Sequence, residues 1–106
     1  MQTSGMLTSS VATDELARAF KALAHPNRLA IYLELLRYSE TSIKHSCCLG
    51  DIIRHLDIGA PTISHHIKEL VNADLIRAER DGKFLRCRIN PAMRDRLGAF
   101  FNAAPI

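Results

Sequence analysis

The chain has 106 residues, 47% of them hydrophobic and 24% charged, with a formal net charge of +3 at pH 7. A chain of this length makes one domain with a modest core and leaves no room for a large active-site cleft beside it. The composition is that of an ordinary globular domain, and the mild positive excess permits a polyanionic partner without requiring one.

No apolar run approaches the roughly 18 residues that span a bilayer. The first ten residues are rich in Ser and Thr, without a basic start or an apolar stretch. A cytoplasmic protein with no membrane partner is expected. The cysteines number three, an odd count, which favours reduced thiols over a disulfide framework.

In chain order, residues 1–12 are small and polar with little periodicity, so a flexible N-terminal arm is expected there and a folded domain over 13–103. Thr13-Asp14-Glu15 has the features of a helix start: a capping hydroxyl, then acids that suit the positive end of the helix dipole. Leu16, Phe20 and Leu23 follow at helical spacing. Pro26 closes this helix and opens the next, because proline fits the first helical position. Leu29, Tyr32, Leu33 and Leu36 make the expected buried stripe of the second helix, widened by Ile31 and Leu35. Tyr38 to Ser46 is polar and expected as a loop.

Leu49, Ile52, Ile53 and Leu56 mark a short third helix, Asp57-Ile58-Gly59-Ala60 a turn, and Pro61 the start of a fourth helix with Ile63, Ile67, Leu70 and Val71 inward. Two short helices joined by a tight glycine-containing turn make a helix-turn-helix. The period then changes to two: Ile76 and Ala78 alternate with Arg77 and Glu79, Asp81-Gly82 signals a hairpin turn, and Leu85, Cys87 and Ile89 alternate with Phe84, Arg86 and Arg88. With Asp81-Gly82 as the loop, Arg77 faces Arg86, Ala78 faces Leu85 and Ile76 faces Cys87. Cys87 is then a small core hydrophobe. Asn90-Pro91 caps a last helix striped by Met93, Leu97, Phe100 and Phe101. The expected fold is mainly α with a β-hairpin wing, a winged helix-turn-helix.

A helix enters the major groove when short polar side chains on its outer face reach base edges and neighbouring groups hold phosphates. Pro61, Thr62, Ser64, His65, His66 and Lys68 supply that face, and Thr62, Ser64 and His65 lie in the first turn or so. On the hairpin, Arg77 opposite Arg86 is unfavourable unless a polyanion lies nearby, and Arg80 and Lys83 add to the surplus. A solvated amphipathic helix and an exposed basic strand edge are the plainer readings of the same residues.

Ala22-Leu23-Ala24-His25-Pro26-Asn27-Arg28-Leu29, Thr62-Ile63-Ser64-His65-His66-Ile67-Lys68-Glu69-Leu70, Ala73-Asp74-Leu75-Ile76 and the Asp81-Gly82-Lys83 hairpin, in that order, resemble the arsenic-repressor (ArsR/SmtB) family of winged-helix regulators. The resemblance spans about residues 14 to 101. It implies a homodimer formed through the first and last helices, a palindromic double-stranded operator as partner, and repression relieved by an inducer.

The family's inducer motif, ELCVCDL, falls on Ser46-Cys47-Cys48-Leu49-Gly50-Asp51-Ile52. Cys48 matches its first cysteine and Asp51 its aspartate, but Gly50 stands where the second cysteine belongs, and the preceding loop is longer. Cys47 and Cys48, with His45 as a nitrogen donor, remain candidates for a soft metal or metalloid ion, or for a thiol-based redox or persulfide sensor; a segment with no sensor is the third reading. Adjacent residues in regular structure point apart, so one ion reaches both sulfurs only if the backbone is irregular there. The family's other metal site uses histidines on the last helix, and Ala92 to Asn102 contains none.

Two other functions compete with a repressor: a winged-helix regulator without a small inducer, and a protein-interaction module that no longer reads DNA. A thiol enzyme is disfavoured, since there is no Cys-X-X-Cys motif, no βαβ pattern and no glycine-rich phosphate loop.

Overall fold

The helices of the computed structural model, which describes residues 2–41 and 47–102, change direction where proline and glycine mark the sequence. The order is α1 (Gln2–Leu23), α2 (Pro26–Thr41), β1 (Cys47–Cys48), α3 (Leu49–His55), α4 (Ala60–Asn72), β2 (Ile76–Asp81), β3 (Phe84–Ile89) and α5 (Pro91–Asn102).

Helix α1 takes in Gln2 to Ala12, the stretch expected as an arm, so Thr13 lies inside the helix and is not its cap. No proline interrupts that stretch, and a helix already nucleated over the following residues extends at one hydrogen bond per residue. At the α1–α2 corner the Nδ1 of His25 accepts the Asn27 backbone N–H at 3.1 Å, capping α2. Arg28 Nε donates to the Ala22 carbonyl at 2.6 Å, satisfying one of the open acceptors at the end of α1. Helix α2 continues to Thr41, past the expected loop start at Tyr38.

The core gathers Ile31, Tyr32 and Leu35 of α2, Ile63, Ile67 and Leu70 of α4, Leu75, Ile76 and Cys87 around the hairpin, and Met93 and Leu97 of α5. The expected stripe of α2 is therefore corrected. Ile31 and Leu35 carry the packing, whereas Leu29 and Leu33 are exposed, Leu33 by 54%. This helix is apolar over most of its circumference, and the chain covers only one side of it.

Helix α4 opens after Gly59 with proline in its first turn. It ends in a Schellman motif: Leu75 N–H donates to the Leu70 carbonyl at 3.1 Å and Asp74 N–H to the Val71 carbonyl at 3.0 Å. Asp74 holds the left-handed position, with φ of 61°, and the apolar pair that accompanies the motif, Leu70 and Leu75, is fully buried.

The hairpin register also differs from expectation. Asp81 pairs with Phe84, Glu79 with Arg86, Ala78 with Cys87, Arg77 with Arg88 and Ile76 with Ile89. The two-residue loop is Gly82-Lys83, with Gly82 at φ of 65°, as a turn with glycine at its first central position requires. Moving the loop by one residue moves each cross-strand partner by two, which leaves every side chain on its expected face. Cys87 thus stays in the core while its partner changes. Strand β1 adds a third member, giving the sheet order β1-β3-β2.

Asn90 caps α5 as its position before Pro91 suggests, its Oδ1 accepting the Ala92 N–H at 3.2 Å. Its Nδ2 donates to the Asp74 carbonyl at 2.9 Å, which ties the cap of α5 to the end of α4. Arg96 of α5 pairs with Glu15 of α1. Phe100 and Phe101, expected in the last helix's buried stripe, are exposed and meet the ring of Phe20 at 5.3 and 5.7 Å between centroids.

Candidate nucleic-acid interface

Helix α4 buries Ile63, Ile67 and Leu70, so the residues between them divide by face. Pro61, Thr62, Ser64, His65 and Lys68 are exposed. His66 is not: it is 3% exposed and belongs to the core side. Standing three residues after Ile63 and four before Leu70, it shares their face, so the assignment of His66 to the DNA-reading surface is corrected. Its ring lies 4.5 Å from that of His25. Neither ring nitrogen of His66 has a hydrogen-bond partner among the described residues. Burial pushes the His66 imidazole below its usual pKa; His25, Arg28 and His65 push the same way, and Glu69 pulls weakly against them. The neutral form is favoured.

The wing distributes its charge differently from the expected register. Arg86 stands opposite Glu79 and donates Nε to Asp81 Oδ2 at 2.8 Å. The like-charged pair facing across the strands is Arg77 and Arg88, and Arg77 reaches Asn90 Oδ1 at 3.3 Å. Arg80 and Lys83 are exposed near the tip, with Lys83 Nζ 5.7 Å from the Phe84 ring centroid.

These two elements meet. Ser64 of α4 lines the same cleft, of about 280 Å³, as Arg80, Lys83 and Phe84 of the wing, Cys48 of β1 and Gly50 of α3. The exposed polar face of α4 and the cationic tip of the wing are thereby contiguous. Phe84 was not anticipated in this surface; its place as the outward neighbour of the turn was the available signal.

The sensor candidates divide. His45 lies outside the described residues. The backbone of Cys47 pairs with Cys87, and that of Cys48 with Arg86. Cys48 is half-buried. Among the described residues, no three His, Cys, Asp or Glu side chains gather in a way that would hold a metal ion. His25 and His55 take structural roles: the first caps α2, and the second approaches Asp51 O at 2.9 Å and Glu34 Oε2 at 3.3 Å.

A family model described as a helix-turn-helix domain matches residues 23–79. The arsenical resistance operon repressor of Staphylococcus aureus is 35% identical over 81 residues, covering 76% of this chain and 71% of that protein. The probable mercury resistance operon repressor of Streptomyces lividans is 36% identical over 83 residues, covering 77% of this chain but only 61% of the relative. Among solved structures, the homodimeric winged helix-turn-helix DNA-binding domain of a Mycobacterium bovis protein superposes with a TM-score of 0.66 at 26% identity, over 89% of this chain and 81% of that one.

Proposed function

Because the chain belongs to the ArsR family of winged-helix transcription regulators, we propose that it acts as a homodimeric repressor that sets α4 into the major groove of a palindromic operator. This is a family of DNA-binding regulators, not of enzymes. The observation that carries the reading is the shared cleft of Ser64, Arg80 and Lys83. Thr62, Ser64 and His65, from the first turns of α4, read base edges, with Pro61 and Lys68 at the margins of the contact. Arg80 and Lys83 meet phosphates directly, flanked by Arg77 and by Arg86, the latter already engaged with Asp81. The dimer forms through α1 and α5, where Phe20, Phe100 and Phe101 cluster. Among the described residues no helix is long and apolar enough to cross a membrane, and the site of action is the cytoplasm.

For an inducer, a soft metal, metalloid or reactive sulfur species, we propose Cys47 and Cys48, with His45 as a further donor. Cys48 lines the DNA-reading cleft itself, so a group taken up there acts on the docking surface without a long relay.

Fluorescence anisotropy on the protein's own promoter fragment, repeated across salt concentrations, tests the docking. Arg80→Ala and Lys83→Ala are each expected to weaken binding to all sequences and to lower the salt slope by about one. Ser64→Ala and His65→Ala are expected to change which operator is preferred. Binding that none of the four changes affects overturns the reading.

A further inference from the structure

The end of the wing sets an apolar ring among cations. Glu79 to Phe84 are all exposed, so the hairpin stands out beyond the core, which it leaves at Ala78 and Leu85. Gly82, with φ of 65°, turns the chain so that Phe84 opens the return strand directly after Lys83. Asp81, the acid of the turn, is engaged by Arg86 at 2.8 Å. Phe84 is 49% exposed, and the Lys83 ammonium lies 5.7 Å from its ring centroid. The other large apolar side chains left exposed among the described residues, Leu29, Leu33, Phe100 and Phe101, lie on α2 and α5. Phe84 instead shares its cleft with Ser64 of α4 and with Arg80.

Dimensions decide what this ring meets. The major groove is about 12 Å wide, and an α-helix with its side chains is about 10–12 Å across. Helix α4 fills such a groove, so a hairpin standing beside it has to cross the neighbouring phosphate strand. The cleft between Ser64 on one wall and Arg80, Lys83 and Phe84 on the other is where that strand passes. Beyond it lies the minor groove, whose narrow A·T tracts attract cations and whose flexible pyrimidine–purine steps admit apolar wedges. We infer that Phe84 is a specificity-determining residue: its ring wedges into the minor groove at a TA step beside the bases that α4 reads, with Arg80 and Lys83 on the adjoining phosphates. The chain thereby selects A·T-rich DNA on either side of the segment that α4 contacts. The inference rests on the repressor reading and adds to it a preference exerted through the deformability of the duplex rather than through hydrogen bonds to bases.

Selection of duplexes from a random library by the full chain, and by its Phe84→Ala and Phe84→Leu variants, tests this. Fluorescence anisotropy then compares the selected duplex with a copy whose flanks are exchanged for G·C. The native chain should enrich a palindromic core with an A·T-rich flank carrying a TA step on each side. It should bind the G·C-flanked copy about tenfold more weakly, the order that withdrawing an apolar ring from water allows. Phe84→Ala should enrich the same core without the flanks and bind both duplexes at the weaker affinity. Its salt slope should be unchanged, since no cation is removed. Phe84→Leu, which keeps an apolar wedge, should retain most of the preference, and both variants should keep the native circular dichroism because the ring lies outside the core. A native selection with a core and no flanks, or a full flank preference in Phe84→Ala, overturns the proposal. So does a changed core in Phe84→Ala, which would put the ring in the major groove. No enrichment of any sequence by the native chain overturns the repressor reading, and this inference with it.

Discussion

The rings of His25 and His66 lie 4.5 Å apart between centroids, tilted by 50°, at the point where the α1–α2 corner meets α4. The contact binds α4 to the rest of the domain through a pair of imidazoles, one of which caps α2 and the other of which is buried without a partner for either nitrogen among the described residues.

His66 makes stability depend on pH in a definite direction. His66 has a folded pKa below its unfolded value of about 6.5, so the unfolded chain binds more protons in the interval just below that value. Stability is therefore full above about pH 6.5 and falls as the pH drops through the window towards the folded pKa. The titratable and charged groups facing it, His25, Arg28 and His65, add to the effect, and Glu69 opposes it. Urea unfolding at several pH values should show this decline in the native chain. His66→Leu removes the titrating group and the orphaned nitrogens together, and is expected to stay within about 1 kcal/mol of the native chain at pH 7.5. An undiminished acid slope in that variant would assign the effect to other groups.

Helix α4 carries a second, opposite kind of strain at its end. Asp74 occupies a left-handed conformation that costs a side-chain-bearing residue roughly 1–2 kcal/mol, and its carboxylate stands at the negative end of the helix dipole. Asp74→Gly relieves both while keeping the two Schellman hydrogen bonds, which are made by backbone. A gain of about 0.5–1 kcal/mol is expected after the extra entropy of glycine in the unfolded chain is subtracted. In a domain of this size that is a rise of a few degrees in Tm, checked by thermal melts. A drop in Tm would mean that the Asp74 side chain contributes a contact of its own.

Much of this arrangement was legible from residue order. The helix-turn-helix, the wing, the Asn90 cap and the inward Ile63, Ile67 and Leu70 all follow from period and punctuation, because each is set by local chemistry. The face of His66 was legible too, at three residues from Ile63 and four from Leu70, and was obscured by the adjacent His65. The hairpin loop was harder: Asp81-Gly82 and Gly82-Lys83 both place a glycine in the turn, and only the position of its positive φ separates them. Because either choice keeps Cys87 on the core face, the pattern of apolar residues carries no information about it. Leu29, Leu33, Phe100 and Phe101 were beyond reach for another reason. Hydrophobicity says that a residue leaves water and does not say whether its own chain or a partner provides the cover.

That last group leads to the assembly. Phe101 is 68% exposed beside Phe20 and Phe100 on the α1–α5 face, where a two-fold interface would use each copy's patch twice. Burying a phenylalanine contributes about 1.5–3 kcal/mol, so removing it from both sides weakens the dimer by roughly 3 kcal/mol or more, at least about a hundredfold in Kd. Phe101→Glu adds the cost of desolvating a carboxylate, and should make the chain monomeric at micromolar concentration by sedimentation velocity. Since Phe101 is exposed in the single chain, the variant's circular dichroism should be unchanged, while operator affinity falls because two half-sites no longer bind as one unit. A Phe101→Glu protein that still sediments as a dimer would place the interface elsewhere than α1 and α5.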